Sequence, residues 1–421
     1  MRLREYGKIG ERVYFERLEN GLGLFCVQKP DYYKSYAFFA ANYGGADRRF
    51  RLNGQWIDTP AGVAHYLEHK MFDMPDGNAL TQLSLNGANP NAFTATDMTA
   101  YHFECTDKFD ENLELLLKFV STPYFTAESV EKEQGIIGQE IRMTEDDPDH
   151  AIYYALLRDL YKYNPMKDAI AGTVESIAEI TPEVLNACHR VFYNPNNMVL
   201  CVAGDQDPEK IAETARTILP KTRGPIPEKD HGKKESLKPV NRRSEVVMEV
   251  GMPTFLMGAK DGECRSGDDL QRRELIGELA LEIIAGKSSA LYARLYNDGL
   301  INGSFSAEYE TTAGEAFVVM GGESRDPDAA FKELSDAARE VGEKGVDKAL
   351  FERQKKAAIG RRLRELNSFE NICYSTARGY FMGYDPFRAI DVLSGITGDD
   401  VRSFAAETLS DERLALAIIR G

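Results

Sequence analysis

Long apolar runs are missing from the chain. No stretch of about 18 uncharged apolar residues occurs, so no membrane span is expected. The opening segment, Met1-Arg2-Leu3-Arg4-Glu5-Tyr6-Gly7, has basic residues but no apolar run behind them; this argues against a secretory signal and for a cytoplasmic location. Positive charge is also short, with 51 Lys and Arg against 67 Asp and Glu, a net charge of −16. Such a surface repels a phosphate backbone, so nucleic acid is not expected as a partner. Cysteine is sparse: Cys26, Cys105, Cys188, Cys201, Cys264 and Cys373 are scattered, and none forms a C-x-x-C pair. No disulfide framework is implied, and buried apolar thiols are expected rather than thiolate ligands. Histidine is equally scarce, at six, so the positions of those six carry information.

At 421 residues the chain is too long for one ordinary hydrophobic core, which points to two domains. The stretch 221–243 holds Pro225, Pro227, Pro239 and several lysines with few large apolar residues, and reads as an exposed linker. It separates residues 1–220 from residues 244–421. The halves look related. Glu131 to Glu140 in the first corresponds to Arg353 to Arg362 in the second, each leading into a tyrosine-containing helix (Ile152-Tyr153-Tyr154 and Ile372-Cys373-Tyr374). Each half then closes on an apolar strand, Met198 to Ala203 and Leu414 to Ile419. Strand-like and helix-like patterns mix without strict alternation. The expected fold class is therefore α+β: two homologous domains, each an antiparallel-rich sheet covered by helices on one face.

Locally, Leu22 to Gln28 and Ser35 to Tyr43 read as strands. Thr59-Pro60 offers an N-cap and an N1 proline for a helix running towards Phe72. Asn91 to Cys105, rich in Thr, Phe and Tyr, suggests a β-hairpin.

The informative segment is His65-Tyr66-Leu67-Glu68-His69. Positions i, i+3 and i+4 of a helix share one face, so both imidazoles and the carboxylate point into the same space. Two imidazoles one turn apart can grip one metal ion, and zinc suits mixed nitrogen and oxygen ligands. This is the inverted H-x-x-E-H zinc motif, the inverzincin arrangement. A catalytic zinc takes a third protein ligand and keeps a position for water. Glu133 and Glu140, seven residues and two helical turns apart, share a helix face; one can ligate while the other supports it.

With its flanks, the segment reads Gly62-Val63-Ala64-His65-Tyr66-Leu67-Glu68-His69-Lys70-Met71-Phe72. It is followed by Asn89-Pro90-Asn91-Ala92-Phe93-Thr94, Thr99-Ala100-Tyr101, the Glu133/Glu140 pair and Asn194-Pro195-Asn196-Asn197-Met198. In these stretches the chain resembles the insulinase/pitrilysin family, particularly its mitochondrial-processing-peptidase-like branch. The resemblance is dense in the first half and thin in the second. It implies Zn2+ held by His65, His69 and Glu140, with Glu133 orienting a histidine or the water, and Glu68 as general base. It also implies that Asn91 and Ala92 lie on an edge strand along which the substrate backbone is laid.

The second half departs from that pattern. Peptide-cleaving members of the family carry an arginine and a tyrosine after a serine-rich helix start, and here Tyr296 and Asn302 fall near those places. Arg294 and Tyr309 are the nearby substitutes, each expected as an ordinary structural residue.

The resulting expectation is a zinc metallopeptidase subunit. Its first half would be the zinc-binding catalytic domain, and its second half a homologous domain without the metal motif. The family is built as a closed chamber of four such domains, which implies a homodimer or a heterodimer with a related subunit and restricts substrates to unfolded peptides or extended segments. Two other readings stand beside it: a zinc-binding scaffold or maturation partner with vestigial proteolysis, and a peptide-binding module without metal.

Overall fold

The computed structural model describes every residue except Asn53 and Cys264, and only the backbone of Glu263. Cys264, counted above among the apolar thiols, thus lies outside the described residues. The chain is α+β and divides into two compact units. Unit 1 comprises residues 1–141, 169–231 and 363–387, and unit 2 residues 142–168, 232–362 and 388–421.

Unit 1 is built on seven strands: β1 (Arg2–Tyr6), β2 (Glu11–Arg17), β3 (Gly23–Gln28), β4 (Ser35–Ala41), β5 (Asn89–Thr94), β6 (Thr99–Cys105) and β7 (Met198–Gly204). They are ordered β1-β2-β3-β7-β4-β6-β5. Central β4 and β7 are buried along their whole length, and apolar side chains on both faces mean that both faces are covered. Helix α1 (Val63–Lys70) belongs to this unit, as does helix α2 (Ala127–Glu145) as far as Ile141. Its larger core packs Leu24, Phe39 and Leu200 of the sheet against Tyr66, Leu67, Leu116 and Leu117.

The start of α1 differs from the Thr59-Pro60 cap. The N-cap is Gly62, in the left-handed region at φ 94°, and a Cβ there would lie 2.5 Å from the Ala171 carbonyl. Close packing against that segment delays the helix, and the Thr59 hydroxyl instead donates to the Arg48 carbonyl at 3.0 Å.

Unit 2 holds β8 (Arg243–Val247), β9 (Thr254–Glu263), β10 (Ser306–Thr312), β11 (Glu315–Glu323) and β12 (Leu414–Arg420), ordered β8-β12-β9-β11-β10. The order and directions repeat those of β3-β7-β4-β6-β5. The first pair is parallel in each case (β3 with β7, β8 with β12), and every later neighbour is antiparallel. Duplication explains this match.

The units also exchange a helix. Helix α3 (Pro148–Leu160) follows α2 in sequence but packs on β12, β9 and β8 of unit 2. Its counterpart α4 (Phe369–Met382) packs on β7, β4 and β3 of unit 1. Each sheet thus receives one helix on the face opposite its main helical layer. In unit 1 the sheet beside α4 is filled by Phe38, Phe93, His102 and Tyr374, with ring centroids 5.8–6.5 Å apart. In unit 2 the corresponding floor, with Leu256, Ser306, Glu308 and Gly321, leaves an open cavity of about 670 Å³.

Residues 221–243 are shared between the units. Glu228 and Asp230 exchange backbone hydrogen bonds with Arg51 and Arg49 in unit 1, and Glu235 accepts the backbone N–H groups of Lys162 and Asn164 in unit 2. Within unit 1, buried Asp47 accepts from Lys229 Nζ and His231 Nε2, both at 2.8 Å, and from the Gly44 N–H at 2.9 Å. Burial pushes the Asp47 carboxyl up, but Lys229 and His231 outweigh it and hold its pKa below the ordinary value. Stability contributed by a depressed carboxyl is complete above the unfolded pKa of about 3.9. It disappears as pH falls through the lower folded value. Asp47→Asn should therefore cost about 3 kcal/mol near neutrality, measured by urea unfolding, and its deficit relative to wild type should shrink below about pH 4.

No helix among the described residues is long and apolar enough to cross a membrane.

Candidate metal centre

Helix α1 is fastened to the first turns of α2 by three side chains. The Tyr66 hydroxyl donates to the Val130 carbonyl. Lys70 Nζ donates to the Ser129 carbonyl at 3.2 Å and to Asp73. His69 Nδ1 meets Glu133 Oε1 at 3.0 Å. Tyr66 and Leu67 face the core on one side of α1, leaving His65 and His69 on the other, with ring centroids 4.6 Å apart. Two turns beyond Glu133, the Glu140 carboxylate spans the pair: Oε1 lies 3.5 Å from His65 Nε2, and Oε2 lies 3.6 Å from His69 Nε2.

These separations fit zinc. Ligand atoms about 2.0–2.2 Å from a tetrahedral ion stand roughly 3.3–3.6 Å from one another. One donor atom each from His65, His69 and Glu140 lie within 4.8 Å of each other, and among the described residues no other group of three His, Cys, Asp or Glu could hold a metal ion. Two imidazoles and a carboxylate also match the donor set of a catalytic zinc site.

The carboxylates around the two rings favour positive charge at this place. Burial disfavours a charged His69 ring, but the hydrogen bond to Glu133 and the charges of Glu68, Glu140 and Glu133 raise its pKa. Glu133 is held below the usual carboxylate range by the His69 hydrogen bond, with help from Lys70. Glu140 is lowered by its contact with His65. Glu133 orients only one of the two rings, since His65 Nδ1 is buried without a hydrogen-bond partner among the described residues. Such supporting carboxylates are worth about ten- to a hundredfold in metal affinity. Glu133→Gln should therefore weaken zinc binding by that factor, read by competition with a chelator, and leave the far-UV circular dichroism unchanged.

Glu68 lies one turn from His65 and next to His69 in the chain, and is almost completely buried. The Thr94 hydroxyl donates to its Oε2 at 2.7 Å. Thr94 ends β5, which lies at the sheet edge and, among the described residues, pairs only with β6. Asn91 and Ala92 are on that same strand, and the Asn91 side chain accepts the Ala92 N–H at 2.9 Å. Sequence reasoning gave no role to Thr94 or Lys70, although both lie in the quoted motifs. The signal for Thr94 was strand alternation, which puts it on the same side as Ala92.

The remaining histidines are absorbed elsewhere. His102 stacks on Tyr36 and Phe38, takes a 2.7 Å hydrogen bond with Tyr36, and is pushed down to about 4 by burial. His189 Nε2 meets the Val120 carbonyl at 3.0 Å. Cys26, Cys105, Cys188, Cys201 and Cys373 are buried and free, and burial raises all five thiols.

In unit 2, the sequence counterparts of Glu133 and Glu140 are Lys355 and Arg362. Lys355 donates to the Ser394 and Ile396 carbonyls, and Arg362 pairs with Glu278. These cations cannot ligate a metal ion. Arg294 pairs with Glu333 on the surface at 2.6 Å. Tyr309 donates to Asp261, which also holds Arg273 and Thr408. Tyr296 is half-exposed and stacked on Tyr292, and Asn302 donates to Glu323.

Two family models match the chain: insulinase (peptidase family M16) over residues 54–174, and the peptidase M16 inactive domain over residues 179–358. The uncharacterized zinc protease YmfH of Bacillus subtilis is 38% identical over 419 residues, 98% of this chain and 97% of the relative. Among solved structures, a protein described as M16-like peptidase from Alicyclobacillus acidocaldarius superposes with a TM-score of 0.94 at 33% identity, covering 97% of this chain and 98% of that one. Pitrilysin shares the fold at 16% identity with a TM-score of 0.78, and 99% of this chain covers 45% of pitrilysin.

Proposed function

The chain belongs to the insulinase family of zinc-dependent peptidases (peptidase family M16), and from that premise we propose that it is a zinc metalloendopeptidase subunit cutting extended peptide segments. The observation that carries this reading is the approach of the His65, His69 and Glu140 donor atoms to within 4.8 Å of one another, beside a buried carboxylate and an unpaired strand edge.

His65, His69 and Glu140 hold the ion, and Glu133 fixes the tautomer of His69. Zinc, when bound there, supplies a Lewis acid that polarises the scissile carbonyl and brings the pKa of water towards neutrality. Glu68 accepts the proton of the attacking water as the new C–O bond forms. It returns that proton to the amine nitrogen as the C–N bond breaks. Asn91 and Ala92 line the edge on which the substrate backbone adds as a further strand, which selects unfolded or extended segments, because a folded domain has no free strand to offer.

A second subunit, a copy or a related chain, completes the enclosure. Pitrilysin accommodates this whole fold in under half of its length, so two chains of this size match one of that kind.

The test is a quenched peptide library and a folded protein offered to the full chain with any subunit that co-purifies. Peptides should be cut, the folded protein spared, and activity lost on chelation and restored by zinc. The substitution of Tyr296 and Asn302 near the family's arginine and tyrosine positions favours a second reading, a zinc-binding scaffold. Full zinc occupancy without cleavage would select it.

A further inference from the structure

We propose that Thr94 is a positioning residue for hydrolysis, through which a substrate strand added to β5 aligns the Glu68 carboxylate. The inference rests on the peptidase reading above and adds a residue and a coupling to it.

The phase of the β5–β6 ladder makes the case. The register pairs Thr94 with Thr99, Phe93 with Ala100, Ala92 with Tyr101 and Asn91 with His102. One step on, the Ala95 N–H donates to the Met98 carbonyl at 2.7 Å. Hydrogen-bonded and non-hydrogen-bonded pairs alternate in an antiparallel ladder. Phe93 and Asn91 therefore spend their peptide groups on β6, while those of Ala92 and Thr94 face the open edge. The Ala92 N–H agrees independently, since it takes the Asn91 side chain and not β6.

Side chains follow the same alternation. Ala92 packs against the core cluster that contains Val63, Ala64 and Leu67 of α1, and the Thr94 hydroxyl reaches Glu68 Oε2 from that same side. Thr94 is thus a single residue with its peptide group on the docking edge and its hydroxyl on the general base. Pairing with a substrate strand ties down the backbone that carries this hydroxyl. With Oε2 occupied by Thr94, Oε1 remains for proton transfer. A carboxylate released from that bond has several rotamers available, and misplacement of a reacting group by about 1 Å costs on the order of a hundredfold in rate.

The experiment compares Thr94→Val, which keeps the shape and removes the hydroxyl, with Thr94→Ser, which keeps the hydroxyl. Both are made in the zinc-loaded full chain with any co-purifying subunit. For Thr94→Val the expected result is a ten- to hundredfold fall in kcat, with KM, zinc content and peptide affinity (fluorescence anisotropy in the Glu68→Gln background) at wild-type levels. Thr94→Ser should stay within about twofold of wild type in kcat. An unchanged kcat in Thr94→Val, a change confined to KM, or a Ser variant as slow as the Val variant would overturn the proposal. If zinc-loaded wild type cuts no peptide, the hydrolytic reading falls separately. The Thr94 contact is then judged by a double-mutant cycle of Thr94→Val and Glu68→Ala on Tm, since each substitution removes one partner of the bond. Non-additive shifts support the positioning bond, and additive shifts remove it.

Discussion

Glu68→Gln should lower peptide hydrolysis by about 10²–10⁴-fold, the usual contribution of a general acid–base group, without lowering zinc content. The substitution is nearly isosteric and keeps an oxygen for the Thr94 hydroxyl, which in wild type lies 2.7 Å from Oε2. It removes only the capacity to take and return a proton. The residue is not among the three whose donor atoms converge, so metal affinity should be untouched. The check is kcat on a quenched peptide beside metal analysis of the same preparation. Loss of activity together with loss of zinc would assign Glu68 to the metal and contradict the division of roles.

Glu140→Gln should act in the reverse order, losing zinc first and activity as a consequence. Its carboxylate spans both rings at 3.5 and 3.6 Å, and the amide keeps one neutral oxygen where a charged ligand stood. If roughly 10–16 kcal/mol of binding free energy is shared by about four ligands, losing one costs on the order of 10²- to 10³-fold in affinity. Glu133 touches His69 and is not among the three residues whose donor atoms converge, so Glu133→Gln should be the milder of the two. Chelator competition on the three glutamine variants should therefore rank zinc loss as Glu140, then Glu133, then Glu68 with none. A Glu133 effect equal to or larger than that of Glu140 would exchange their assignments.

Much of this centre was legible in the sequence because helical spacing is local. His65, Glu68 and His69 share a face by the pitch of one turn, and Glu133 and Glu140 by the pitch of two. The duplication was also legible at the ends of the halves, and the strand orders of the two units repeat it. What lay beyond reach was long-range. Thr94 and Glu68 are 26 residues apart, and no periodicity brings a strand residue onto a helix. Nor does sequence pattern say that helix α3 packs on the sheet of unit 2 while α4 returns to unit 1. Within 221–243, lysines and prolines signal exposure, yet Lys229 spends its charge on buried Asp47, a partner 182 residues away. Gly62 carries a related lesson: the Thr59-Pro60 signal was sound in isolation, and close packing against Ala171 decided the helix start.

The central claim is that His65, His69 and Glu140 meet on one ion. Anomalous diffraction at the zinc edge from crystals of the zinc-loaded protein tests it directly. The expected map has one strong peak within about 2.0–2.2 Å of His65 Nε2, His69 Nε2 and a Glu140 oxygen, with Glu68 outside that distance. A peak elsewhere, or one at the histidines with Glu140 turned away and no other acid in its place, would contradict it.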